Sequence, residues 1–325
     1  MARAQRIPEE MRAAALDHFG PPNVVHTEVL PVPKLGKKDV LVRVSTAGVG
    51  EWDPSIVDGS FSDIESPRFP RVLGSDGSGT IVAIGESVQA YDVGDRVYGW
   101  GFGNKKGGFF AEYAAVKERH VAPVPGSLSL EQAGGLAACG LTALTGLEQL
   151  DLPAGSSIVI FGASGGVGHI AVQLAKALEL RVFAIASKAD GVDLVEKLGA
   201  DEATEGHRST LDADMREFAP KGFDGALVFA GANGWKKELS LLKKRGGKVA
   251  WPNGVEPTPK VPRGVKTISF DADLSSDAFV HLNELIERGP FHVEISKSYP
   301  LDDTAKALKD VQRHHIGKLT IDVRH

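Results

Sequence analysis

Cysteine is nearly absent from this chain of 325 residues, which has a single one, Cys139. One thiol excludes a disulfide within the chain and any zinc site built from several cysteines. Cys139 lies in the run GGLAACGLTAL, whose small residues predict a buried structural thiol in a helix. No pair among the ten histidines has the spacing of an H-E-x-x-H motif. The sequence therefore offers no recognisable metal site.

Long apolar segments and an excess of one charge are absent as well. No stretch approaches the roughly 20 apolar residues that a membrane-spanning helix needs. The formal net charge is −5, which gives no general attraction to nucleic acid or anionic lipid. Pro8, Glu9 and Glu10 stand where a secretory signal would need its apolar core. We therefore expect a cytoplasmic protein that has neither nucleic acid nor a membrane as its partner.

The composition is that of an ordinary globular protein, with 42% apolar residues. The pattern of predicted secondary structure changes along the chain. From about Arg12 to Pro125, short β-like runs separated by glycine and proline predict a barrel-like unit. From about Ser129 to Asp271, strands alternate with helices. The candidate strands are 157–161, 182–186, a weak one near 203, 225–230, 247–251 and 266–270. Six such strands predict one doubly wound parallel sheet, so the fold class is α/β.

The end of the chain returns to mixed character, with predicted helices at 278–288 and 304–313 and a last strand at 318–323. We expect this segment to close back onto the first domain. The predicted domains are residues 1–128, 129–272 and 273–325, of which the first and third form one folded unit.

Residues 157–178 predict a strand, a glycine turn and a helix in immediate succession. Ile158 to Phe161 form a short apolar run typical of a central parallel strand. After the turn, apolar residues recur at helical spacing: Val167, Ile170, Ala171, Leu174, Ala175 and Leu178. The turn between them follows the G-x-G-x-x-G pattern with alanine in the first glycine place: Ala163, Ser164, Gly165, Gly166, Val167 and Gly168. In this setting the motif predicts a dinucleotide pyrophosphate site at the start of the helix.

The end of the second predicted strand bears on which dinucleotide binds. A unit that prefers NAD usually places a carboxylate there, whereas this chain has Ser187 and Lys188. Ser187 can donate to a 2′-phosphate and Lys188 can neutralise part of its charge. Arg208, after the weak third strand, is a further candidate. These residues favour NADPH, and the alternative is a turn serine beside solvated surface cations.

Several segments together resemble the medium-chain dehydrogenase/reductase superfamily, and the match covers nearly the whole chain. They are GSDGSGTIVAIGESV, VGDRVYG, GGFFAEYAAV, GLTALTGL, GASGGVGHIAVQLAKAL, KLGADEATE, RGGKVAW and IGKLTIDV. Within the superfamily the chain is similar to the zinc-free quinone oxidoreductases, the relatives of ζ-crystallin. The resemblance implies a GroES-like catalytic domain formed by both chain ends, a Rossmann domain inserted between them, an active site in the cleft, and a homodimer.

The resemblance also locates the positions at which zinc-dependent members carry metal ligands. A cysteine is expected near residues 47–50 and a histidine before Asp76, but this sequence has Gly50 and Ser75 there. Neither can replace a thiolate or an imidazole. Without a Lewis acid, the simplest chemistry is hydride delivery from NADPH to a conjugated acceptor such as a quinone or an enone.

The resemblance assigns further residues to the cofactor, each with a structural alternative. Thr142 would lie at the nicotinamide or pack its helix, and Ala230 and Gly231 would lie near the ribose. Lys318 would reach the cofactor from the other domain or be a solvated strand-end charge. The segment just past the fifth strand, Trp251, Pro252 and Asn253, would line the same cleft, and Asn253 before Gly254 equally suits a turn.

The acceptor side departs from the family pattern, in which an asparagine and a tyrosine stand where this chain has Gly50 and Ser55. Trp52 offers a flat face to a conjugated acceptor, or belongs to the core. Asp53 could orient a proton donor, or form a turn pair with Pro54. Tyr98 and Trp100 are further candidates for the wall.

Three functions remain open on the sequence. The first is an NADPH-dependent, zinc-free reductase of quinones or α,β-unsaturated carbonyls. The second is a reductase of enoyl thioesters, which would need a long groove with basic contacts. The third is a structural protein that retains an NADPH site without turnover.

Overall fold

The computed structural model describes residues 6–62, 68–231 and 235–324. The chain packs into two compact units. Unit 1 consists of Met1–Ala138, Leu274–Val280 and Ile295–His325, and unit 2 of Cys139–Asp273 and His281–Glu294. The domain limits predicted after residues 128 and 272 stay a prediction.

Within the described residues the secondary structure is numbered in chain order. The strands are β1 Glu10–Leu16, β2 His26–Pro31, β3 Asp39–Val49, β4 Arg71–Val72, β5 Asp76–Ile84, β6 Arg96–Trp100, β7 Tyr113–Lys117, β8 Val121–Pro123, β9 Ser157–Phe161, β10 Arg181–Ala186, β11 Glu202–Glu205, β12 Gly225–Val228, β13 Lys248–Pro252, β14 Lys266–Phe270, β15 Ile295–Pro300 and β16 Lys318–Asp322. The helices are α1 Asp53–Val57, α2 Leu130–Gly134, α3 Ala137–Leu150, α4 Gly168–Ala177, α5 Ala189–Lys197, α6 Leu211–Phe218, α7 Ser276–Ile286 and α8 Thr304–Asp310.

Unit 1 is built around a sheet of order β15-β16-β3-β5-β6-β8, with β7 also paired to β3, and a smaller sheet of order β2-β1-β4. The strand β16 pairs antiparallel with β3, so this part of the C-terminal segment returns to unit 1, as expected. Residues His281–Glu294 of the same segment belong to unit 2. The register sets Leu319 opposite Val49, Gly48 opposite Asp76, and Asp76 opposite Trp100. The start of β16, the end of β3, the start of β5 and the end of β6 therefore share one edge of the sheet.

Unit 2 is a parallel sheet of order β11-β10-β9-β12-β13-β14, which confirms the predicted doubly wound fold. The central strand β9 is buried along its whole length, as its unbroken apolar run requires. The strand order reverses between β9 and β12. In open sheets of this kind, ligands bind outside the carboxyl ends of the strands at that reversal.

The predicted weak strand near residue 203 is present as β11, and the predicted helix after the glycine turn is α4. No helix among the described residues is both long enough and apolar enough to span a membrane.

Candidate functional site

The glycine turn of unit 2 begins one residue earlier than the sequence pattern suggested. Gly162, directly after β9, has a φ of 73°, a conformation that favours glycine. Ala163, expected in the first glycine place, is fully buried, and its N–H donates to the carbonyl of Ile185 at 3.0 Å. Gly162 was missed, and its signal was a glycine immediately after a buried strand.

Close packing of α4 against the turn depends on Gly168. A Cβ built there would lie 2.1 Å from the carbonyl oxygen of Gly162, so no other residue fits without a shift of the backbone. Gly165 differs, because a Cβ built on it would meet only the Gly162 oxygen, at 3.5 Å. The space before Gly165 is open, as close approach of a ligand to the backbone requires.

The start of α4 suits an anion. The residue before the helix, Val167, makes no side-chain capping hydrogen bond among the described residues, and Gly165, Gly166 and Val167 are all partly exposed. Backbone N–H groups and the helix dipole favour a phosphate at such a position. The residues present therefore fit a dinucleotide pyrophosphate, with Ser164 buried behind the turn.

A buried histidine that sequence reasoning missed supports this loop. His169 is fully buried in the first turn of α4 and bridges two segments of unit 2. Its Nε2 accepts the N–H of Glu294 at 3.2 Å, and its Nδ1 lies 2.9 Å from the carbonyl oxygen of Gly165. Because a backbone N–H can only donate, Nε2 is the acceptor and Nδ1 carries the proton. A neutral imidazole thus fixes the Gly165 carbonyl of the glycine turn.

The residues expected to select NADPH lie at the same edge of the sheet as the turn. Ser187 and Lys188 follow the carboxyl end of β10, and Arg208 follows that of β11. All three are exposed. The start of α5, just beyond Lys188, packs on the turn, because a Cβ on Gly191 would lie 2.6 Å from Ser164 Oγ.

The loop after β12 meets the glycine turn at the reversal of strand order. A Cβ on Gly162 would lie 2.9 Å from the Cβ of Ala230, and one on Gly231 would lie 1.8 Å from the carbonyl oxygen of Glu256. Trp235 packs on Phe161 with ring centroids 4.6 Å apart, and its Nε1 donates to the Ala230 carbonyl at 2.6 Å. Ala230 and Gly231 are thus held at the position where a ligand is expected.

The other expected cofactor residues of unit 2 occupy separate positions. Thr142 is half-buried on α3. Trp251 and Pro252 end β13 rather than following it, and both are half-buried. The side-chain amide of Asn253 donates to Asp271 at 2.9 Å, and Gly254 has a φ of 94°. Asn253 therefore takes part in a turn whether or not it contacts a cofactor.

In unit 1, four aromatic side chains form a row beside the shared sheet edge. The ring centroids of Trp52 and Trp100 are 6.2 Å apart, those of Trp100 and Phe102 are 5.8 Å apart, and those of Phe102 and Phe61 are 5.7 Å apart. All four residues are half-buried. We call Trp52, Trp100, Phe102 and Phe61 the aromatic row; it offers flat apolar faces to a ligand.

Tyr98 does not match the expectation that it lines the acceptor cleft. It is fully buried, and its ring packs edge-on against Phe279 at 5.5 Å. Burial raises the pKa of its hydroxyl far above the usual value, so it has no access to a ligand and no role as an acid. Its position in β6, two residues before Trp100, places it deeper in the core.

Lys318 differs from the interpretation as a solvated strand-end charge, and its contact with the cofactor stays a prediction. The residue is 3% exposed, so it is not a solvated charge, and its Nζ donates to the carbonyl of Val49 at 3.0 Å. The same Nζ lies 5.6 Å from the centroid of the Trp52 ring. Its ammonium therefore acts inside unit 1, on the side of the aromatic row.

Two buried carboxyl groups accompany Lys318. Asp53, at the first position of α1, is 1% exposed, and Asp76, at the start of β5, is fully buried. Burial raises the pKa of Asp53 to about 7; the charge of Asp76 adds to this rise, while the Gly50 amide, Lys318 and Ser75 oppose it. Burial also raises the pKa of Asp76, against the charge of Lys318 and a hydrogen bond from the amide of Ala138.

Comparison with known proteins shows which family the chain resembles. Two family profiles match it, "Alcohol dehydrogenase GroES-like domain" over residues 36–126 and "Zinc-binding dehydrogenase" over residues 166–259. The quinone oxidoreductase of Lama guanicoe is 30% identical over 96% of both chains. The chloroplastic NADPH-dependent alkenal/one oxidoreductase of Arabidopsis thaliana is 31% identical, over 97% of this chain and 80% of that protein. The solved quinone oxidoreductase of Coxiella burnetii matches with a TM-score of 0.83 at 26% identity, covering 97% of this chain and all of that one.

The doubly wound sheet with its glycine turn, joined in sequence to a GroES-like unit, defines a hydride-transfer oxidoreductase with a nicotinamide cofactor. The chain belongs to the medium-chain dehydrogenase/reductase superfamily, in its quinone oxidoreductase branch. The resemblance derived from the sequence is thereby confirmed.

Zinc, which appears in the description of the second profile, does not fit the donor set at the shared sheet edge of unit 1. The donors at the shared edge are the carboxylates of Asp53 and Asp76 and the hydroxyl of Ser75, with the ammonium of Lys318 among them. The buried ammonium of Lys318 would repel a zinc ion at that place. The oxygen donors there include no thiolate or imidazole. Within residues 6–62, 68–231 and 235–324, no three His, Cys, Asp or Glu side chains are arranged to hold a metal ion.

Proposed function

We propose that this protein is an NADPH-dependent, zinc-independent reductase that transfers hydride to a quinone or to an α,β-unsaturated carbonyl. The observation that carries the proposal is the aromatic row, which lies beside a donor set unsuited to zinc. Without a metal to polarise an isolated carbonyl, the acceptor must already be activated by conjugation. Conjugated acceptors are flat, and half-buried indole rings suit them.

The preference for NADPH is supported by the carboxyl end of β10. Ser187 and Lys188 stand where NAD-selective sheets carry an acidic residue, and Arg208 is exposed at the end of the neighbouring strand. A 2′-phosphate would gain a hydroxyl donor and two cations there. The name of one relative agrees, since the Arabidopsis protein is described as NADPH-dependent. The name of the Lama guanicoe protein, a quinone oxidoreductase, supports the proposed acceptor.

The residues of the chain bind the cofactor and orient the acceptor. The cofactor supplies the hydride. The amides at the start of α4 hold its pyrophosphate, His169 fixes their loop, and the aromatic row orients the acceptor. Thr142, Ala230, Gly231, Trp251, Pro252 and Asn253 are proposed to complete the cofactor site. We also propose a cytoplasmic homodimer.

The proposed function is tested by following the absorbance of NADPH against a panel of acceptors. The panel contains 1,4-benzoquinone, 9,10-phenanthrenequinone, simple enones and an enoyl-CoA, and a primary alcohol with NADP⁺ tests the reverse reaction. We expect oxidation by the quinones or enones and none of the alcohol. A marked preference for the enoyl-CoA would instead indicate the thioester reductase, and NADPH binding without oxidation by any acceptor would indicate a non-catalytic role. Stoichiometric zinc in the purified protein would contradict zinc independence.

A further inference from the structure

The indole of Trp52 is held on three sides by unit 1. Its Nε1 donates to Ser75 Oγ at 2.9 Å, and the Lys318 ammonium lies 5.6 Å from its ring centroid. A Cβ built on Gly50 would lie 2.4 Å from two ring carbons, so the ring rests directly on the backbone of that glycine. Ser75 is 2% exposed and Lys318 is 3% exposed. The half-buried indole of Trp52 is therefore held by two buried residues.

The hydroxyl of Ser75 connects Trp52 to Asp53. It donates its proton to Asp53 Oδ1 at 3.1 Å while it accepts the indole N–H. The other oxygen of Asp53, Oδ2, accepts the N–H of Gly50 at 2.8 Å. Both carboxylate oxygens therefore receive a donor, and the chain Trp52, Ser75, Asp53 is complete when Asp53 is ionised.

Protonation of Asp53 disturbs this chain wherever the proton sits. A proton on Oδ1 points at Ser75 Oγ, and the Ser75 hydroxyl must then turn away from Asp53. A proton on Oδ2 faces the Gly50 N–H, so two donors oppose each other. Either change leaves a buried donor without its acceptor, which is unfavourable.

Two charged groups act on Asp53 from the strands packed around it. Asp76 of β5 disfavours its ionisation and Lys318 of β16 favours it. Asp76 itself accepts the amide of Ala138 at 3.1 Å through Oδ2, while its buried Oδ1 has no hydrogen-bond partner among the described residues. One ammonium thus faces two carboxyl groups, and charge balance requires only one of them to be ionised.

We propose that Asp53 is a positioning residue that fixes the Trp52 indole through Ser75, with Lys318 holding the ring face, so that acceptor binding depends on the ionisation of Asp53. The inference rests on the proposed function in one respect, the contact of Trp52 with the acceptor. It assigns the buried charged cluster Asp53, Asp76 and Lys318 to the acceptor side of the reaction and gives Ser75 a role where zinc does not fit.

The first test measures KM and kcat for 9,10-phenanthrenequinone between pH 6 and pH 8.5, at saturating NADPH, in the wild type and in Asp53→Asn. Asparagine donates to Ser75 and accepts from Gly50, so it imitates the protonated acid. We expect the wild-type KM to rise about fivefold as the pH falls through 7, because a change of that factor corresponds to the free energy of about one hydrogen bond. The kcat should change by less than about twofold. Asp53→Asn should keep the higher KM at every pH. A wild-type KM independent of pH, or an Asp53→Asn variant that retains the dependence, would overturn the proposal.

The second test is a double-mutant cycle between Ser75→Ala and Trp52→Phe, which keeps an aromatic face but removes the N–H. If the hydrogen bond carries the effect, each single variant raises KM and the double variant raises it no further than Trp52→Phe alone. The matched control pairs Ser75→Ala with Trp100→Phe, the neighbouring tryptophan of the aromatic row, and these two effects should add. Additive effects in the first cycle would contradict the role of Ser75.

A spectroscopic measurement separates this inference from the proposed function. The fluorescence difference between the wild type and Trp52→Phe reports on Trp52 without any acceptor, and we expect its emission to titrate near pH 7 and to stop titrating in Asp53→Asn. If the wild type reduces no quinone or enone but Trp52 titrates in this way, the proposed function fails and the coupling stands. A difference spectrum that is constant with pH overturns the coupling.

Discussion

The imidazole Nδ1 of His169 lies 2.9 Å from the carbonyl oxygen of Gly165, so a fully buried neutral ring supports the glycine turn. We expect His169→Leu to raise the Kd for NADPH about tenfold, because the loop loses the group that orients its peptide. The free energy of unfolding should fall by about 2 kcal/mol, because the Glu294 N–H loses its acceptor. Fluorescence titration with NADPH and chemical denaturation measure the two effects.

Gln173 supplies the control for this variant. It lies one turn further along α4 and bonds the backbone of His292 through both ends of its amide, at 2.8 Å each. Its side chain also donates to the His169 carbonyl at 2.9 Å, and it has no hydrogen bond to Gly165 among the described residues. Gln173→Leu should lower stability by a similar amount and leave the Kd unchanged. Equal losses of NADPH affinity in both variants would show that His169 acts only through stability.

Two glycines of the turn should respond differently to alanine. In Gly168→Ala the new Cβ would lie 2.1 Å from the Gly162 oxygen, so the turn and helix must separate, and both stability and NADPH binding should be lost. In Gly165→Ala the Cβ meets only one atom, at 3.5 Å, so the melting temperature should stay within about 2 °C. Its Kd for NADPH should nevertheless rise at least about tenfold, since the methyl group occupies the approach of the phosphate. Unchanged affinity in Gly165→Ala would place the pyrophosphate elsewhere.

Local patterns predicted much of this fold, and long-range pairing explains what they missed. The strand, turn and helix at 157–178 were visible because their residues are contiguous, and the alternation of strands and helices predicted the doubly wound parallel sheet of unit 2, though not its strand order. The bond between His169 and Glu294 spans 125 residues, and that between Lys318 and Val49 spans 269. No spacing in the sequence indicates which strands bring such residues together. Tyr98 was misjudged for the same reason, because Phe279 covers it.

The choice between NADPH and NADH should depend on the carboxyl end of β10. We expect Ser187→Asp combined with Lys188→Ala to lower kcat/KM for NADPH at least about tenfold, because a carboxylate repels the 2′-phosphate. The kcat/KM for NADH should be unchanged or higher, since the same carboxylate can accept from a ribose hydroxyl. Lys197→Ala is the matched control. It removes an exposed cation from the far end of α5, the helix that begins directly after Lys188. A selectivity equal to that of the wild type in the double variant would exclude these residues from the cofactor site.

A stability test concerns Asp39, which is 1% exposed at the start of β3 and joins three segments of unit 1. It pairs with Lys106 at 2.5 Å and Lys117 at 2.8 Å, and it accepts the N–H of Gly36 at 2.7 Å. Burial alone would raise the pKa of Asp39, but the hydrogen bonds from these three groups outweigh it and hold the pKa at about 2, below the ordinary value of 3.8.

Because the pKa of Asp39 is lower in the folded state, its contribution to stability is fully present above about pH 4 and is lost as the pH falls towards 2. Asp39→Asn should lower the free energy of unfolding by about 2 kcal/mol at pH 7, since two lysines lose their charged acceptor while both can still reach water. Measured by urea denaturation, the difference between wild type and variant should shrink between pH 4 and pH 2. Asp212→Asn breaks an exposed i,i+4 pair with Arg216 and a longer exposed pair with Lys237 at 3.9 Å, and it should change stability by less than about 0.5 kcal/mol at either pH. A constant difference between wild type and Asp39→Asn across the acid range would mean that packing, rather than charge, makes Asp39 important.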